Sequence, residues 1–260
     1  MRTIPAMRQD LARRFAGVAR EAGARIMAIY GTATAEQKAD GSPLTAADLA
    51  AHEAILEGLR ACSPEFPVIS EEDAALAAAV PDCPFILVDP LDGTREFLSG
   101  NGEFTVNIAL IEAGEPVVGV VYAPALGHLW TGALGAGAEA THGDSPPRAI
   151  GCRRPGAEGL VAVASRSHRD AATEAFLAGR PIAGLRSVGS SLKFCLVAEG
   201  EADVYPRFGP TMEWDTAAGQ AVLAAAGGAV VTPAGEPFRY GKAATGWRNG
   251  PFIAWGAPKG

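Results

Sequence analysis

The stretch Phe85-Ile86-Leu87-Val88-Asp89-Pro90-Leu91-Asp92-Gly93-Thr94 contains the strongest local signal in the chain. Its four leading apolar residues predict a buried strand that ends at Asp89, and the proline and glycine predict a turn after it. The turn would present two carboxylates, Asp89 and Asp92, at the edge of a sheet. Gly93 allows close approach to a ligand, and the amides of Gly93 and Thr94 would face an anion at the start of a helical turn. Alone, this motif is more typical of a solvated turn capped by aspartates.

Acidic residues also follow a strand or begin a helix at three other places. Ser70-Glu71-Glu72-Asp73 comes directly after an apolar strand, and Trp214-Asp215-Thr216-Ala217-Ala218-Gly219 places an aspartate in the first turn of a long helix. Asp48 lies three residues after Thr45, which is the spacing of a capping box at a helix start. Because aspartate commonly caps helices, capping is the strong alternative for Asp215 and an equal alternative for Asp48.

The charge of these carboxylates favours a bound cation if the segments converge. Two carboxylates ~5 Å apart repel by roughly 3 kcal/mol at an effective dielectric near 20, and a larger set repels several times more strongly. A divalent cation between them would remove this repulsion. Because a ligand set made only of oxygens suits Mg²⁺ rather than zinc, the residues predict a magnesium site that binds and cleaves a phosphate ester.

The composition excludes several classes of protein. The 260 residues include 22 Lys and Arg against 29 Asp and Glu, a net charge of −7, which disfavours a nucleic-acid polymer as the partner. Hydrophobic residues are 48% and charged residues 20%, which argues against a disordered or membrane chain. Charges interrupt residues 1–20, unlike a secretion signal, and the four cysteines have neither zinc-site nor redox-motif spacing. We expect free thiols, no integral membrane segment and a cytoplasmic location, with peripheral association at the inner membrane as an alternative.

The order of predicted elements indicates an α/β sandwich. Amphipathic helices are predicted over 6–30 and from Thr45 onward. The buried face of the second helix is predicted to contain Leu49, Ile55, Leu56 and Leu59. Strands are predicted at 66–70, 84–88, 103–112, 116–122, 126–132, 160–164, 182–188, 202–205, 229–232 and 252–255, and further helices at 171–177, 190–199 and 214–226. Residues 140–159, rich in Gly, Pro and charge, would separate an N-terminal α+β lobe (1–145) with most metal ligands from a C-terminal α/β lobe (146–260) that completes the site.

Taken together, these motifs identify a family. The stretches 89–94 and 214–219 resemble the two signatures of the lithium-sensitive, Mg²⁺-dependent phosphatases that include inositol monophosphatases and fructose-1,6-bisphosphatases. Within that superfamily the chain looks most like the bacterial 3′(2′),5′-bisphosphate nucleotidases of the CysQ type. The stretches that carry this finer likeness are 41–48, 70–73, 102–111, 165–168, 189–194 and 205–210. The resemblance spans nearly the whole chain and implies the layered αβαβα fold of these phosphatases.

The resemblance also implies a site for two to three Mg²⁺ ions. The implied metal ligands are Glu71, Asp89, the Leu91 carbonyl, Asp92, Asp215 and, through water, Asp48. The implied catalytic residues are Glu71 and Thr94, which orient and deprotonate the attacking water, and Asp92, which holds the ion beside the leaving 3′-oxygen. The implied substrate-binding residues are Gly93, Thr94, Arg207, Ser190, Lys193 and Asp215.

The stretch 205–208 bears on substrate choice. Inositol monophosphatases carry a glutamate for sugar hydroxyls in the comparable region, whereas this chain offers Arg207 and Phe208. This exchange disfavours a neutral polyol and favours a second phosphate beside a base that can stack. The alternative for Arg207 is a surface cation. Arg166 and Lys193 are weaker candidates for the same phosphate, and His168 is a candidate neighbour of the nucleotide or a helix-start histidine.

The resemblance therefore implies an enzyme that hydrolyses the 3′-phosphate of adenosine 3′,5′-bisphosphate to give AMP. It also implies action on 3′-phosphoadenylyl sulfate and a place in sulfate assimilation and nucleotide recycling, with a small phosphorylated nucleotide as the partner. One alternative is an inositol- or histidinol-phosphate phosphatase. An alternative of another class is a protein-interaction module in RNA processing with residual phosphatase activity. The sequence leaves the oligomeric state open.

Overall fold

Two main sheets, two small two-stranded sheets (Ala35–Gln37 with Pro43–Thr45, and Thr211–Met212 with Arg248–Asn249) and the helices packed on the main sheets make up the fold in a computed structural model, which describes residues 3–32, 35–37, 43–74, 79–165 and 170–257. The helices in these ranges are α1 (Pro5–Ile29), α2 (Ala46–Cys62), α3 (Thr94–Ser99), α4 (Ala171–Ala178), α5 (Leu192–Ala198) and α6 (Trp214–Ala225). The strands of the first half are β1 (Ala35–Gln37), β2 (Pro43–Thr45), β3 (Val68–Ser70), β4 (Phe85–Asp92), β5 (Thr105–Glu112), β6 (Glu115–Ala123), β7 (His128–Ala133), β8 (Gly137–His142) and β9 (Arg148–Ile150). Those of the second half are β10 (Leu160–Ser165), β11 (Ile182–Val188), β12 (Val204–Arg207), β13 (Thr211–Met212), β14 (Ala229–Val231), β15 (Arg248–Asn249) and β16 (Phe252–Trp255).

The larger sheet has seven strands within the described residues, in the order β3-β4-β5-β6-β7-β8-β9. Only its first pair, β3 and β4, is parallel, so the strands that end in the acidic motifs run side by side in the same direction. The smaller sheet, again within the described ranges, has the order β11-β10-β12-β16-β14, with β10 parallel to both of its neighbours. Because β3 and β4 are parallel, Glu71 and Asp89 emerge at the same edge of the larger sheet.

The layers alternate between helices and sheets. Helices α1 and α2 cover one face of the larger sheet, where the buried side chains include Phe15, Ile26, Ile55, Ile86, Val88, Ile108 and Leu110. Helices α5 and α6 cover the other face and are covered in turn by the smaller sheet. Helix α4 packs through Leu177 on the outer face of that smaller sheet. This αβαβα order confirms the fold predicted from the sequence.

Two glycines set the distance between α6 and the larger sheet. A Cβ atom on Gly119 of β6 would lie 2.3 Å from the carbonyl oxygen of Ala218, and one on Gly132 of β7 would lie 2.5 Å from the Cα of Val222. The backbone of α6 therefore lies directly on the sheet. This contact fixes the start of α6, which carries Asp215.

Most predicted elements are present, with three corrections. Leu49 was expected on the buried face of α2 but is 47% exposed, because it lies in the first turn on the side facing away from α1 and the sheet. Strand β4 continues to Asp92 instead of ending at Asp89, since it stays paired with β5 through an irregular step. The strands that were missed are β1, β2, β8, β9, β13 and β15, because they are short or consist of small and polar residues that carry little strand signal. The division into lobes at residue 145 stays a prediction.

Two further findings concern the chain as a whole. All four cysteines are free thiols. No helix in the described ranges is both long enough and apolar enough to cross a lipid bilayer.

Candidate active site

The end of β4 bends where the acidic motif leaves the sheet. Asp89 pairs with Asn107 of β5, and Asp92 pairs with Thr105, so three steps along β4 match two steps along β5. Such a bulge redirects side chains at a sheet edge. Gly93 then has a φ of 95°, in the left-handed region that glycine adopts without strain, and α3 begins at the next residue. The predicted helical turn after Gly93 is therefore confirmed.

Four carboxylates, those of Glu71, Asp89, Asp92 and Asp215, form what we call the acidic group, and Asp89 lies at its centre. Its side chain is buried, and Oδ1 accepts a hydrogen bond from the Leu91 amide at 3.1 Å. Burial raises the pKa of Asp89 well above its usual value, and the charges of Glu71, Asp92 and Asp215 raise it further. Carboxylates from three separate segments of the chain thus interact at one place.

Two of these carboxylates are held by backbone amides. Asp215 Oδ2 accepts from the Met212 amide at 2.8 Å, and Asp92 Oδ2 accepts from the Ser191 amide at 2.7 Å. Burial raises the pKa of both groups; the charge of Asp92 adds to the shift at Asp215, whereas Lys193 opposes the shift at Asp92. The pair therefore keeps fixed positions in spite of its mutual repulsion.

Glu71 reaches the group from β3. Its amide donates to the Val88 carbonyl at 3.0 Å, which continues the pairing of β3 with β4. Its side chain shares a hydrogen bond with Asp89 that contributes to the raised pKa of Asp89. Two carboxyl groups can share such a bond only if one of them is protonated.

Asp48 both caps a helix and contacts the motif. Its Oδ2 accepts from the amide and the hydroxyl of Thr45 at 2.8 and 2.7 Å, so the predicted capping box is confirmed. Its Oδ1 accepts from Thr94 Oγ1 at 3.3 Å. No sequence pattern predicts the second contact, since the two residues are 46 positions apart.

A cavity of about 260 Å³ opens beside the carboxylates. The predicted site residues that line it are the acidic Glu71, Asp92 and Asp215, then Gly93 and Thr94, and then Ser190, Lys193 and Arg207. Asp48, Asp89 and Leu91 are buried next to this lining. The cavity thus combines the acidic group, the start of α3 with the exposed Arg95, and two further cationic side chains, Lys193 and Arg207.

Both cations are buried rather than on the surface. Arg207 is 9% exposed and donates to the carbonyls of Gly209 at 3.3 Å and Pro210 at 3.0 Å, so the surface-cation alternative is wrong. Lys193 donates to the carbonyls of Val188 and Ser190. Burial lowers the pKa of Lys193 to about 8, although the charge of Asp92 opposes the shift. Two buried cations in a cavity favour an anionic ligand.

Ser190 has two features that point to a ligand. Its φ is 41°, a left-handed conformation that is uncommon for serine and costs about 1–3 kcal/mol. Its hydroxyl is buried and has no hydrogen-bond partner among the described residues. A buried hydroxyl without a partner is unfavourable, and a ligand oxygen in the cavity would supply one.

Three candidates from the sequence are not among the described residues that line the cavity. Arg166 and His168 lie outside the described residues. Phe208 packs against Phe176 of α4, with ring centroids 5.8 Å apart, and is not among the described residues that line the cavity.

The sequence pattern of the inositol monophosphatase family matches residues 7–251. The chain belongs to this family. It is 49% identical over 227 residues to the 3′(2′),5′-bisphosphate nucleotidase CysQ of Escherichia coli K12, a match that covers 86% of this chain and 91% of that protein. CysQ from Bacteroides thetaiotaomicron superposes with a TM-score of 0.82 at 41% identity, covering 96% of this chain and 98% of that one. The inositol monophosphatase from Anabaena sp. PCC 7120 superposes with a TM-score of 0.75 at 27% identity, covering 96% and 91%.

Inositol monophosphatase family enzymes depend on metal ions, and the acidic group fits that requirement by its chemistry. Its donors are carboxylate and carbonyl oxygens, which Mg²⁺ prefers, and the carboxylates raise one another's pKa. Within the described ranges, no group of three or more His, Cys, Asp or Glu side chains is placed so that it could hold a metal ion.

Proposed function

We propose that this chain is a Mg²⁺-dependent 3′(2′),5′-bisphosphate nucleotidase that converts adenosine 3′,5′-bisphosphate to AMP and also acts on 3′-phosphoadenylyl sulfate. One observation carries the proposal: the acidic group and two buried cations line the same cavity. A substrate with two phosphates would place one at the metal ions held by the acidic group and the other at the two cations. The similarity to the Escherichia coli 3′(2′),5′-bisphosphate nucleotidase supports the same reaction.

The acidic group is proposed to hold two to three Mg²⁺ ions. Glu71, Asp89 and the Leu91 carbonyl would bind the first, and Asp89, Asp92 and Asp215 the second. Asp48, whose oxygens already accept hydrogen bonds from Thr45 and Thr94, would reach a third only through water. Bound Mg²⁺ supplies Lewis-acid stabilisation of the phosphate oxygens and lowers the pKa of water.

The protein's own groups position the attacking water and the phosphate. Thr94 Oγ1 donates to Asp48 Oδ1, which leaves a lone pair on Oγ1 to accept a hydrogen bond from water. Glu71 lines the cavity and takes the proton of that water as general base. The amides of Gly93 and Thr94, at the start of α3, bind the phosphate oxygens. The leaving 3′-oxygen takes its proton from water beside Asp92.

The cations are proposed to select the second phosphate. Arg207 and Lys193 are buried and face the cavity, and Ser190 offers its hydroxyl beside them. A neutral polyol offers no negatively charged group to either cation. This is why an inositol phosphate is the poorer substrate in the proposal.

Removing the arginine tests this assignment. We expect Arg207→Ala to raise KM for adenosine 3′,5′-bisphosphate roughly 10–100-fold, since a hydrogen bond to a charged group contributes about 1.5–3 kcal/mol. Adenosine 3′-monophosphate lacks the 5′-phosphate, so its kcat/KM should change little. Arg207→Lys keeps the charge and loses the planar guanidinium group, so its KM for adenosine 3′,5′-bisphosphate should lie between those of the wild type and Arg207→Ala.

Arg186→Ala is the matched control, because Arg186 is exposed on β11 and pairs with Glu201 outside the cavity. Steady-state phosphate release would be measured for all variants with both nucleotides. Equal losses on the two nucleotides would remove Arg207 from the 5′-phosphate site.

A further inference from the structure

Ser191 and Asn107 are buried directly behind the acidic group. Each is only 1% exposed. Ser191 precedes the first turn of α5, and Asn107 lies on β5 opposite Asp89. Neither is among the residues that line the cavity, so they act on a ligand only through other residues.

Ser191 connects the carboxylate of Asp92 to the backbone of Asp215, two residues that come from different halves of the chain. Its amide donates to Asp92 Oδ2 at 2.7 Å, and its hydroxyl donates to the backbone carbonyl of Asp215 at 2.7 Å. These partners are 99 and 24 positions away in the sequence. One residue thus joins the end of β4 to the first turn of α6.

Asn107 completes the network. Its Nδ2 donates to Ser191 Oγ at 3.0 Å and to Asp92 Oδ2 at 3.4 Å. With the nitrogen and oxygen of the amide exchanged, an acceptor would face Asp92 Oδ2, so the two contacts fix the orientation of the amide.

The hydrogen bonds that this network makes to Asp92 all end on one of its two carboxylate oxygens. Oδ2 accepts from Ser191, from Asn107 and from Thr105 Oγ1 at 3.4 Å. No donor in the described ranges has a hydrogen bond to Oδ1. A carboxylate with one oxygen saturated by donors presents the other to a cation in a fixed direction.

We propose that Ser191 and Asn107 are positioning residues that direct Asp92 Oδ1 toward a bound Mg²⁺ and fix the position of Asp92 relative to Asp215. The inference rests on the proposed function only for the presence of that cation. Partners of this kind orient metal ligands, and their loss typically weakens metal affinity by about 10–100-fold.

Metal binding without substrate tests the proposal on the full-length chain. Mn²⁺ would replace Mg²⁺ as the probe, with free Mn²⁺ followed by electron paramagnetic resonance. We expect Asn107→Ala and Ser191→Ala each to weaken Mn²⁺ binding by about 10–100-fold. Ser63→Ala is the matched control, since Ser63 is equally buried at the end of α2. It should bind Mn²⁺ like the wild type.

A thermal unfolding curve in EDTA separates positioning from stability. The proposal expects Mn²⁺ affinity to fall in a variant that is still folded, and added Mg²⁺ to restore much of its kcat. Should Ser191→Ala not fold, Asn107→Ala decides alone, because it leaves the start of α5 intact. Affinity within twofold of the wild type in folded Asn107→Ala would overturn the proposal, as would a wild type that binds no Mn²⁺. If the wild type does not hydrolyse adenosine 3′,5′-bisphosphate but the Mn²⁺ affinities change as expected, only the proposed function is overturned.

Discussion

At the scale of single residues, the acidic group is unfavourable without a cation. Burial raises the pKa of Asp89 and Asp215 well above the usual value, and their neighbours' charges raise it further. The folded state therefore holds protons that the unfolded chain releases. Stability from this source is complete below the usual carboxyl pKa and is lost as the pH rises through the raised values.

This linkage predicts how the metal-free protein responds to pH. In EDTA, the Tm should be lower at about pH 7.5 than at about pH 5, because raising the pH removes protons that three carboxyl groups with raised pKa values hold more tightly in the folded state than in the unfolded chain. Asp89→Asn should reduce this fall, since it removes one titrating group and lowers the repulsion on the others. Mg²⁺ should raise the Tm of the wild type more at the higher pH, where it competes with fewer protons.

Two other groups do not disturb the comparison. Burial lowers the pKa of Lys193 to about 8, and this titration is common to the wild type and Asp89→Asn. Burial lowers the pKa of His128, which acts in the opposite direction but equally in both proteins. The measurement is differential scanning fluorimetry at both pH values. The same pH dependence in Asp89→Asn as in the wild type would contradict the account.

At the scale of elements, the contact of α6 with the larger sheet sets the position of Asp215. Gly119 and Gly132 leave no room for a side chain under this helix. The start of α6 is also anchored, because buried Glu213 accepts from the amides of Gly241 at 2.9 Å and Lys242 at 3.0 Å. Helix position and carboxylate position are therefore coupled.

Gly119→Ala tests this coupling. The added Cβ would lie 2.3 Å from the Ala218 carbonyl oxygen, so the helix must shift. Overpacking of about 1–3 kcal/mol should lower the Tm by about 2–12 °C and also reduce kcat/KM. The control is Gly17→Ala on α1, where a Cβ meets nothing within 4 Å and should stabilise the helix by about 0.5–1 kcal/mol. Equal Tm and activity in the two variants, by calorimetry and phosphate release, would argue against the coupling.

At the scale of the whole molecule, local signals predicted the layers and the acidic motifs but not the long-range contacts. Apolar periodicity located α1, α6 and the strands β4 to β7, because burial on one face leaves a repeating pattern. Strand β8 was missed because its own residues carry little strand signal, and its conformation depends on the pairing with β7. The Asp48–Thr94 and Ser191–Asp215 contacts join distant segments, and no spacing rule connects them.

The net charge of −7 also looks different in the folded molecule. Several of the acidic residues gather beside one cavity, where two or three divalent ions would neutralise much of the excess. The same cavity carries Lys193 and Arg207. Net charge therefore argues against a polyanionic partner but not against a small phosphorylated ligand bound through metal.

The rate of phosphate release with Mg²⁺, compared across substrates, tests the central claim most directly. Adenosine 3′,5′-bisphosphate, inositol 1-phosphate and fructose 1,6-bisphosphate would be assayed with the wild type, and with Asp92→Asn as a folded control that lacks one proposed metal ligand. The account predicts that the nucleotide has a kcat/KM at least about tenfold above the others, equivalent to about 1.4 kcal/mol, that AMP is the product, and that Asp92→Asn is nearly inactive. Preference for inositol 1-phosphate, or full activity in Asp92→Asn, would contradict it.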